Sequence, residues 1–168
     1  MSAARILIAG IGNIFLGDDA FGVEVVYRLA GRPMSEDVRL IDFGIRGLDL
    51  AYALMDGYDH AILVDAVPGG QAPGTLYVIE PEIDEAASAS APPNMHQMDP
   101  VQVLRYVAMM GGKPPQLTVA GCEPESIVSE DMSSGMSPSV LAAVDPAVEL
   151  VETLVGRLLH RDLPASSA

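Results

Sequence analysis

Short runs of consecutive apolar residues, separated by amphipathic segments, constrain the fold of this chain more than any other feature. Two such runs, Arg5–Gly10 and His60–Val67, are long enough for strands and apolar at most positions. Runs of this kind are typical of strands that are covered on both faces of a parallel sheet. The remaining strands are predicted at Val38–Phe43, Thr75–Glu80 and Leu117–Gly121. Because the return to Thr75–Glu80 is short, we expect a hairpin and an antiparallel edge strand there.

Segments with a helical apolar period lie between these strands and supply the outer layers of the fold. The four predicted helices are one capped by Asp18, one through Leu48, Ala51, Leu54 and Met55, one opened by Asp99-Pro100 and one opened by Ser137-Pro138. We expect Asp145-Pro146 to break and restart the last helix. The order of elements predicts an α/β fold, a three-layer α/β/α sandwich around a five-stranded, mostly parallel sheet. The chain has no repeat and no linker, so we interpret residues 1–168 as one domain with a core of about residues 5–159.

The acidic composition excludes several classes of function. With 23 Asp or Glu against 9 Lys or Arg, the formal net charge is −14, whereas a nucleic-acid binder needs a basic face. The hydrophobic content of 49% excludes intrinsic disorder. A single cysteine excludes an internal disulfide and fits a reducing compartment. The apolar stretch after Arg5 is too short to cross a bilayer and no signal segment precedes it, so we expect a cytoplasmic protein without a membrane partner.

Polar residues follow several of the predicted strands, at the sheet edge where ligands collect in α/β proteins. They are Asn13, Asp18 and Asp19 after the first strand, Asp42 ending the second, Asp65 near the end of the third, and Cys122 and Glu123 after the fifth. His96, in the loop before the third helix, can return to the same edge. Two carboxylates and an imidazole suit a divalent transition metal with open positions. The alternative assigns helix capping to Asp18 or Asp19 and solvated loop positions to Asp65 and His96.

The distribution of charge favours a cationic partner at this edge. No Lys or Arg lies between Arg46 and Arg105, although acidic residues are frequent there. A sheet edge built from this stretch would attract cations and cationic peptide segments. General acidity for solubility is the alternative explanation.

A dinucleotide site is the competing interpretation of the turn after the first strand. Gly10-Ile11-Gly12 begins a strand–GxG–helix fingerprint, and Asp42 could meet a ribose. Phe15, however, takes the place of the third glycine. The paired carboxylates of Asp18 and Asp19 would also repel a pyrophosphate at the helix N-terminus. The sequence therefore disfavours nucleotide binding.

Several motifs together carry a resemblance to a known family. They are the opening segment Ile6–Gly22, Ile62–Ala66 with Asp65, the Ala72–Thr75 turn, His96 in its loop, and Val119–Pro124. At these positions the chain resembles the [NiFe]-hydrogenase maturation endopeptidases, a peptidase M52-like family, over nearly its whole length from Arg5 to Leu159. The resemblance implies a phosphorylase/hydrolase-like sandwich. It also implies an aspartic-type endopeptidase that removes a C-terminal extension from the hydrogenase large-subunit precursor after nickel insertion.

The resemblance also implies site residues and partners. Asp19, Asp65 and His96 correspond to the family's catalytic and metal-contacting residues, with Asn13, Asp18 and Asp42 in supporting positions. We expect the nickel to be supplied by the precursor, with no permanently bound cofactor, and we expect the protein to be a monomer. The chain departs from the family where Asp42-Phe43-Gly44-Ile45 stands in place of the common Asp-Gly-Gly-Thr, and Asp19 is often Glu.

Three alternative functions remain, and each predicts a different experimental result. A non-catalytic chaperone for the nickel-containing precursor would bind it without changing its mass. A nucleotide-binding enzyme would bind NAD or FAD saturably. A protease of the same fold that acts on another protein would be separated only by testing substrates.

Overall fold

A single five-stranded sheet forms the centre of the molecule. The computed structural model describes residues 4–81, 100–125 and 135–161. The strands are β1 (Ile6–Ile11), β2 (Val38–Gly44), β3 (His60–Ala66), β4 (Leu76–Ile79) and β5 (Gln116–Cys122). Their spatial order is β2-β1-β3-β5-β4, and all neighbouring pairs are parallel except β4 with β5. The predicted mostly parallel sheet with one antiparallel edge strand is confirmed.

Helices cover both faces of this sheet. They are α1 (Phe21–Leu29), α2 (Gly47–Leu54), α3 (Pro100–Met109) and α4 (Pro138–Arg161), and a 3₁₀ turn at Gly17–Ala20 precedes α1. Ile6 and Ile8 of β1 pack with α1 and α4, whereas Leu7, Ala9 and Ile11 pack with α2 and α3. Because successive side chains of a strand point to opposite faces, β1 is buried at every position. This explains its uninterrupted apolar run and confirms the three-layer sandwich.

The edge strand β4 pairs differently from the prediction. We expected a hairpin between β3 and β4, and this was wrong. β3 pairs with β1 on one side and with β5 on the other, so it has no free edge for β4. β4 instead lies antiparallel to β5, with Leu76 opposite Cys122. The loop after β3 therefore crosses the end of β5, where the Val67 N–H donates to the Cys122 carbonyl at 2.9 Å.

The last helix is continuous, and the predicted break at Asp145-Pro146 was wrong. α4 runs from Pro138 to Arg161 with Pro146 inside it. Proline removes one hydrogen bond from a helix and costs about 3 kcal/mol. Val144 and Val148 are fully buried on either side of Pro146, and burying each contributes about 1.5–3 kcal/mol. The apolar contacts with the sheet therefore outweigh the cost of the proline.

None of the helices within residues 4–81, 100–125 and 135–161 is both long enough and apolar enough to cross a bilayer.

Candidate active site

Buried acidic side chains collect at the carboxyl edge of the sheet, where the parallel strands end. Among the described residues, the buried charged side chains are Asp18, Asp65 and Glu123, which are 2%, 6% and 6% exposed. Asp18 lies in the 3₁₀ turn after β1, Asp65 is the next-to-last residue of β3, and Glu123 directly follows β5. Burying a charge is costly unless it is hydrogen-bonded or paired. The partners of these side chains therefore explain how the edge is built.

Two glycines fold the segment after β1 tightly onto the ends of β1 and β3. Gly12 has φ +138°, and a Cβ atom there would clash with the carbonyl oxygen of Asp19. A Cβ atom on Gly22 would clash with the carbonyl oxygens of Val64 and Ile11. The start of α1 thus rests directly on the residue that precedes Asp65, which brings the 3₁₀ turn and the end of β3 together.

Asp19 is held by the backbone of the same turn. Its Oδ2 accepts a hydrogen bond from the Asn13 N–H at 2.7 Å, and Asn13 Oδ1 accepts one from the Phe15 N–H at 2.9 Å. Burial raises the pKa of Asp19 above its ordinary value, and the hydrogen bond from Asn13 opposes that effect. Asn13 therefore fixes both the carboxylate of Asp19 and the turn that presents Phe15.

Asp18 does not cap α1, and that prediction was wrong. The 3₁₀ turn supplies backbone acceptors at this end of the helix, since the Phe21 N–H donates to the Asp18 carbonyl oxygen. The Asp18 carboxylate is thereby available for distant donors. It accepts hydrogen bonds from the Glu125 N–H at 2.8 Å, the Ser137 N–H at 2.7 Å and the Ser137 hydroxyl at 3.0 Å. We call these contacts the Asp18 clamp, which fastens the turn after β1 to the end of β5 and the start of α4.

Asp65 and Asp42 lie at the same edge in different surroundings. Asp65 is buried and shares the side of β3 that bears Ala61 and Leu63, which face α2 and α3. Asp42 has an exposed side chain and lies near the end of β2, where its backbone carbonyl accepts a hydrogen bond from Arg46 at 2.6 Å. His96 lies outside the described residues.

The structure thus brings five of the six predicted site residues to one edge, and leaves the sixth untested. The five are Asn13, Asp18, Asp19, Asp42 and Asp65. Within the described segments, no three His, Cys, Asp or Glu side chains form a group that could hold a metal ion. The predicted metal-contacting set needs His96, so it stays a prediction.

Glu123 is a site element to which the sequence assigned no role. Its carboxylate accepts hydrogen bonds from the N–H groups of Gly69 and Gly70 and from the Tyr77 hydroxyl, the last two at 2.9 Å. Donation from Gly69 is the main cause that holds the pKa of Glu123 below its ordinary value. Glu123 thereby fixes the loop that follows β3 and Asp65. The only hint in the sequence is that an acidic residue directly follows a strand. Its role could not be predicted, because its hydrogen-bond partners lie more than 45 residues away in the chain.

Cys122 is a packed thiol at the end of β5. It is fully buried, and burial, aided by the negative charges of Asp18 and Glu123, raises its pKa to about 11. The thiolate is the nucleophilic form of cysteine. Cys122 therefore stays protonated at neutral pH and is a packed thiol rather than a nucleophile.

Sequence comparisons relate this chain to proteins of known type. Residues 23–154 match the family model described as hydrogenase maturation protease. The chain is 36% identical over 149 residues to the hydrogenase 2 maturation protease of Escherichia coli, a match that covers 88% of each protein. It is 33% identical over 159 residues to a putative hydrogenase maturation protease of Methanocaldococcus jannaschii, covering 90% of this chain and 96% of that one.

Solved structures give the same relationship. The hydrogenase maturating endopeptidase HybD from E. coli superposes with a TM-score of 0.72 at 33% identity, covering 91% of this chain and 93% of that one. The hydrogenase 2 maturation peptidase from a Thaumarchaeota archaeon superposes with a TM-score of 0.68 at 34% identity, covering 90% of this chain and 98% of that one.

Proposed function

The chain belongs to the hydrogenase maturation protease family and is a hydrolase of the endopeptidase type, and from this premise we propose that it removes a C-terminal extension from a [NiFe]-hydrogenase large-subunit precursor after nickel insertion. One observation supports this assignment above the others. Asp19 lies in the turn after β1 and Asp65 near the end of β3, and the tight packing of the turn around Gly12 and Gly22 brings their segments to one sheet edge.

We propose that Asp19, Asp65 and His96 contact the nickel that the precursor carries. Two carboxylates and one imidazole leave several positions of a divalent metal to other ligands. The precursor's own cysteines fill those positions in this proposal, so the nickel is part of the substrate. Recognition of the nickel then reports that the precursor is loaded and seats its C-terminal segment at the edge.

The chemical step is hydrolysis of one peptide bond. The oxygen of a water molecule adds to the scissile carbonyl carbon, the C–N bond breaks, and a proton passes to the leaving amine. The attacking water is activated by the metal or by one of the carboxylates. Asn13 holds Asp19 in place, the Asp18 clamp holds the turn, and Asp42 borders the path of the substrate. The products are the mature subunit with a new carboxylate and a free C-terminal peptide.

We place this activity in the cytosol. The single cysteine, Cys122, is a free, buried thiol, which fits a compartment where disulfides are rare.

Intact mass spectrometry tests the proposal directly. We expect the protein to shorten the nickel-loaded precursor by one C-terminal peptide and to leave the nickel-free precursor unchanged. Equal cleavage of both forms would contradict recognition through nickel. No cleavage of either form, with binding intact, would contradict the processing activity itself.

One variant and a matched control test the assignment of His96. His96→Ala should abolish processing, and normal processing by this variant would remove His96 from the site. His160→Ala is the matched control, because His160 is an exposed histidine at the C-terminal end of α4. We expect it to process the precursor at the wild-type rate.

A further inference from the structure

Four large apolar side chains are exposed beside the acidic edge, two in the turn after β1 and two where β2 leads into α2. Ile14 and Phe15, in the turn after β1, are 58% and 61% exposed, and Ile45 and Leu48, after β2, are 62% and 47% exposed. We call these four residues the edge patch. Scattered exposed apolar residues are normal, but a group of them beside a candidate site marks a binding surface.

The turn after β1 and the turn between β2 and α2, beside which the edge patch lies, are joined by a hydrogen bond. The Gly12 N–H donates to the Gly44 carbonyl at 2.9 Å, so the two turns leave β1 and β2 side by side. Within the first turn, the Phe15 N–H donates to Asn13 Oδ1 at 2.9 Å and the Leu16 N–H to the Asn13 carbonyl at 3.1 Å. A surface that is already ordered loses little conformational entropy when a partner binds.

The surroundings of the edge patch are acidic. Asp42 and Asp49 have exposed carboxylates next to Ile45 and Leu48 in the chain. Arg46 is the only Lys or Arg between Arg39 and Arg105. Its guanidinium is engaged by the Asp42 carbonyl at 2.6 Å and by Asp49 at 3.4 Å. An apolar surface bordered by carboxylates is complementary to an apolar segment that carries positive charge.

The edge patch is continuous with the proposed catalytic acids. Asn13 forms the connection, because its N–H binds the Asp19 carboxylate and its side-chain oxygen binds the Phe15 N–H. Resting on the function proposed above, we infer that the edge patch binds an apolar segment of the precursor that carries at least one basic residue and adjoins the scissile bond. Phe15 and Ile45 are its specificity-determining contacts.

The test is the kinetics of the double variant Phe15→Ser/Ile45→Ser on nickel-loaded precursor. We expect KM to rise about tenfold or more, since each 1.4 kcal/mol of lost binding is tenfold, while kcat changes by less than about twofold. KM of the wild type should also rise with ionic strength, as expected for a cationic partner. Met109→Ser is the matched control, because Met109 is 69% exposed at the end of α3, far along the chain from the edge patch.

Three outcomes would overturn the inference. One is an unchanged KM in the double variant, and another is an equal rise in the Met109→Ser control. The third is a wild-type dimer that the double variant loses with KM unchanged, which would assign the edge patch to a second copy. If the wild type cleaves no precursor, the proposed function fails separately. The ratio of precursor Kd values between wild type and double variant then decides the inference alone, and an unchanged Kd rejects it.

Discussion

The acidic residues of this protein are held in two different ways, on the outer surface and at the carboxyl edge of the sheet. On the outer surface, Arg28 pairs with Glu24 at 3.1 Å and with Asp145 at 2.6 Å, and Arg32 pairs with Glu152, which links the α1 region to α4. At the carboxyl edge, the carboxylates of Asp18 and Glu123 accept hydrogen bonds from backbone N–H groups.

The two arrangements differ in how much stability is lost when an acidic side chain is removed. Exposed ion pairs contribute a median of about 0–1 kcal/mol and weaken with salt. Backbone N–H groups that point at a buried carboxylate are left without an acceptor when the carboxylate is removed, which costs about 1–3 kcal/mol for each group. The acids of the carboxyl edge are therefore fixed in position by the fold.

The largest expected effect is on activity and comes from Asp19. Asp19→Asn should lower the rate of precursor processing by at least about a hundredfold, since it removes a proposed metal-contacting or proton-accepting group. Stability should not fall, because burial raises the pKa of Asp19 and thus disfavours its charged form in the folded state. Processing rate and urea unfolding measure the two effects. Near-wild-type processing would place the reacting centre elsewhere.

The neighbouring acid should behave in the opposite way. Asp18→Ala removes the Asp18 clamp and leaves the N–H groups of Glu125 and Ser137 without their carboxylate. We expect the free energy of unfolding to fall by about 2–4 kcal/mol, measured by urea denaturation. Asp145→Ala is the comparison at an exposed position, and it should lower the free energy of unfolding by less than about 1 kcal/mol. Equal losses in the two variants would remove the distinction between the regions.

The contribution of Glu123 to stability should depend on pH, which gives a further test of the hydrogen-bonded carboxylates at the carboxyl edge. Glu123→Gln places an amide where Gly69, Gly70 and Tyr77 donate hydrogen bonds, and should lower stability by about 1–3 kcal/mol at neutral pH. The folded-state pKa of Glu123 is lowered below its ordinary value of 4.5. Its stabilisation is thus present above pH 4.5 and is lost as pH falls through the folded-state value. The Tm difference from wild type should therefore shrink below pH 4.5, and a difference independent of pH would contradict the hydrogen-bonded carboxylate.

The smallest effect is expected on the outer surface. Arg28→Met removes both of its ion pairs, and should lower stability by at most about 1 kcal/mol at low salt. The pKa of Arg28 is raised mainly by its hydrogen bond with Asp145, so its charge is constant across the accessible pH range. The difference in unfolding free energy should disappear at high salt. A salt-independent loss would show that the hydrogen bonds of the Arg28 guanidinium, and not its charge, stabilise the α1–α4 contact.

Most of the fold follows from local patterns in the sequence. β1 and β3 are recognisable because both of their faces are covered, which leaves an apolar run with no alternation. The two wrong predictions about elements depend on tertiary contacts. The strand that pairs with β4 depends on which edge of the sheet is still free. The helix stays continuous through Pro146 because Val144 and Val148 are buried against the sheet.

The site is predictable only in part, for a similar reason. Because carboxyl ends of parallel strands share one edge, the positions of Asp19, Asp42 and Asp65 follow from the order of elements. The partners of Asp18 lie 107 and 119 residues away in the chain, and no local pattern indicates them. The role of Glu123 likewise depends on distant partners, which lie in the loop after β3 and in β4. The assignment of His96 stays a prediction.

The Asp18 clamp has a consequence for changes in chain length. The chain leaves the clamp at Glu125 and returns to it at Ser137, so one carboxylate fixes two points of the chain beside the turn that bears Asp19. Closing a loop of twice the length costs only about 0.6 kcal/mol more in entropy. We therefore expect variants with residues inserted between Glu125 and Ser137 to keep the Asp18 clamp and the position of Asp19.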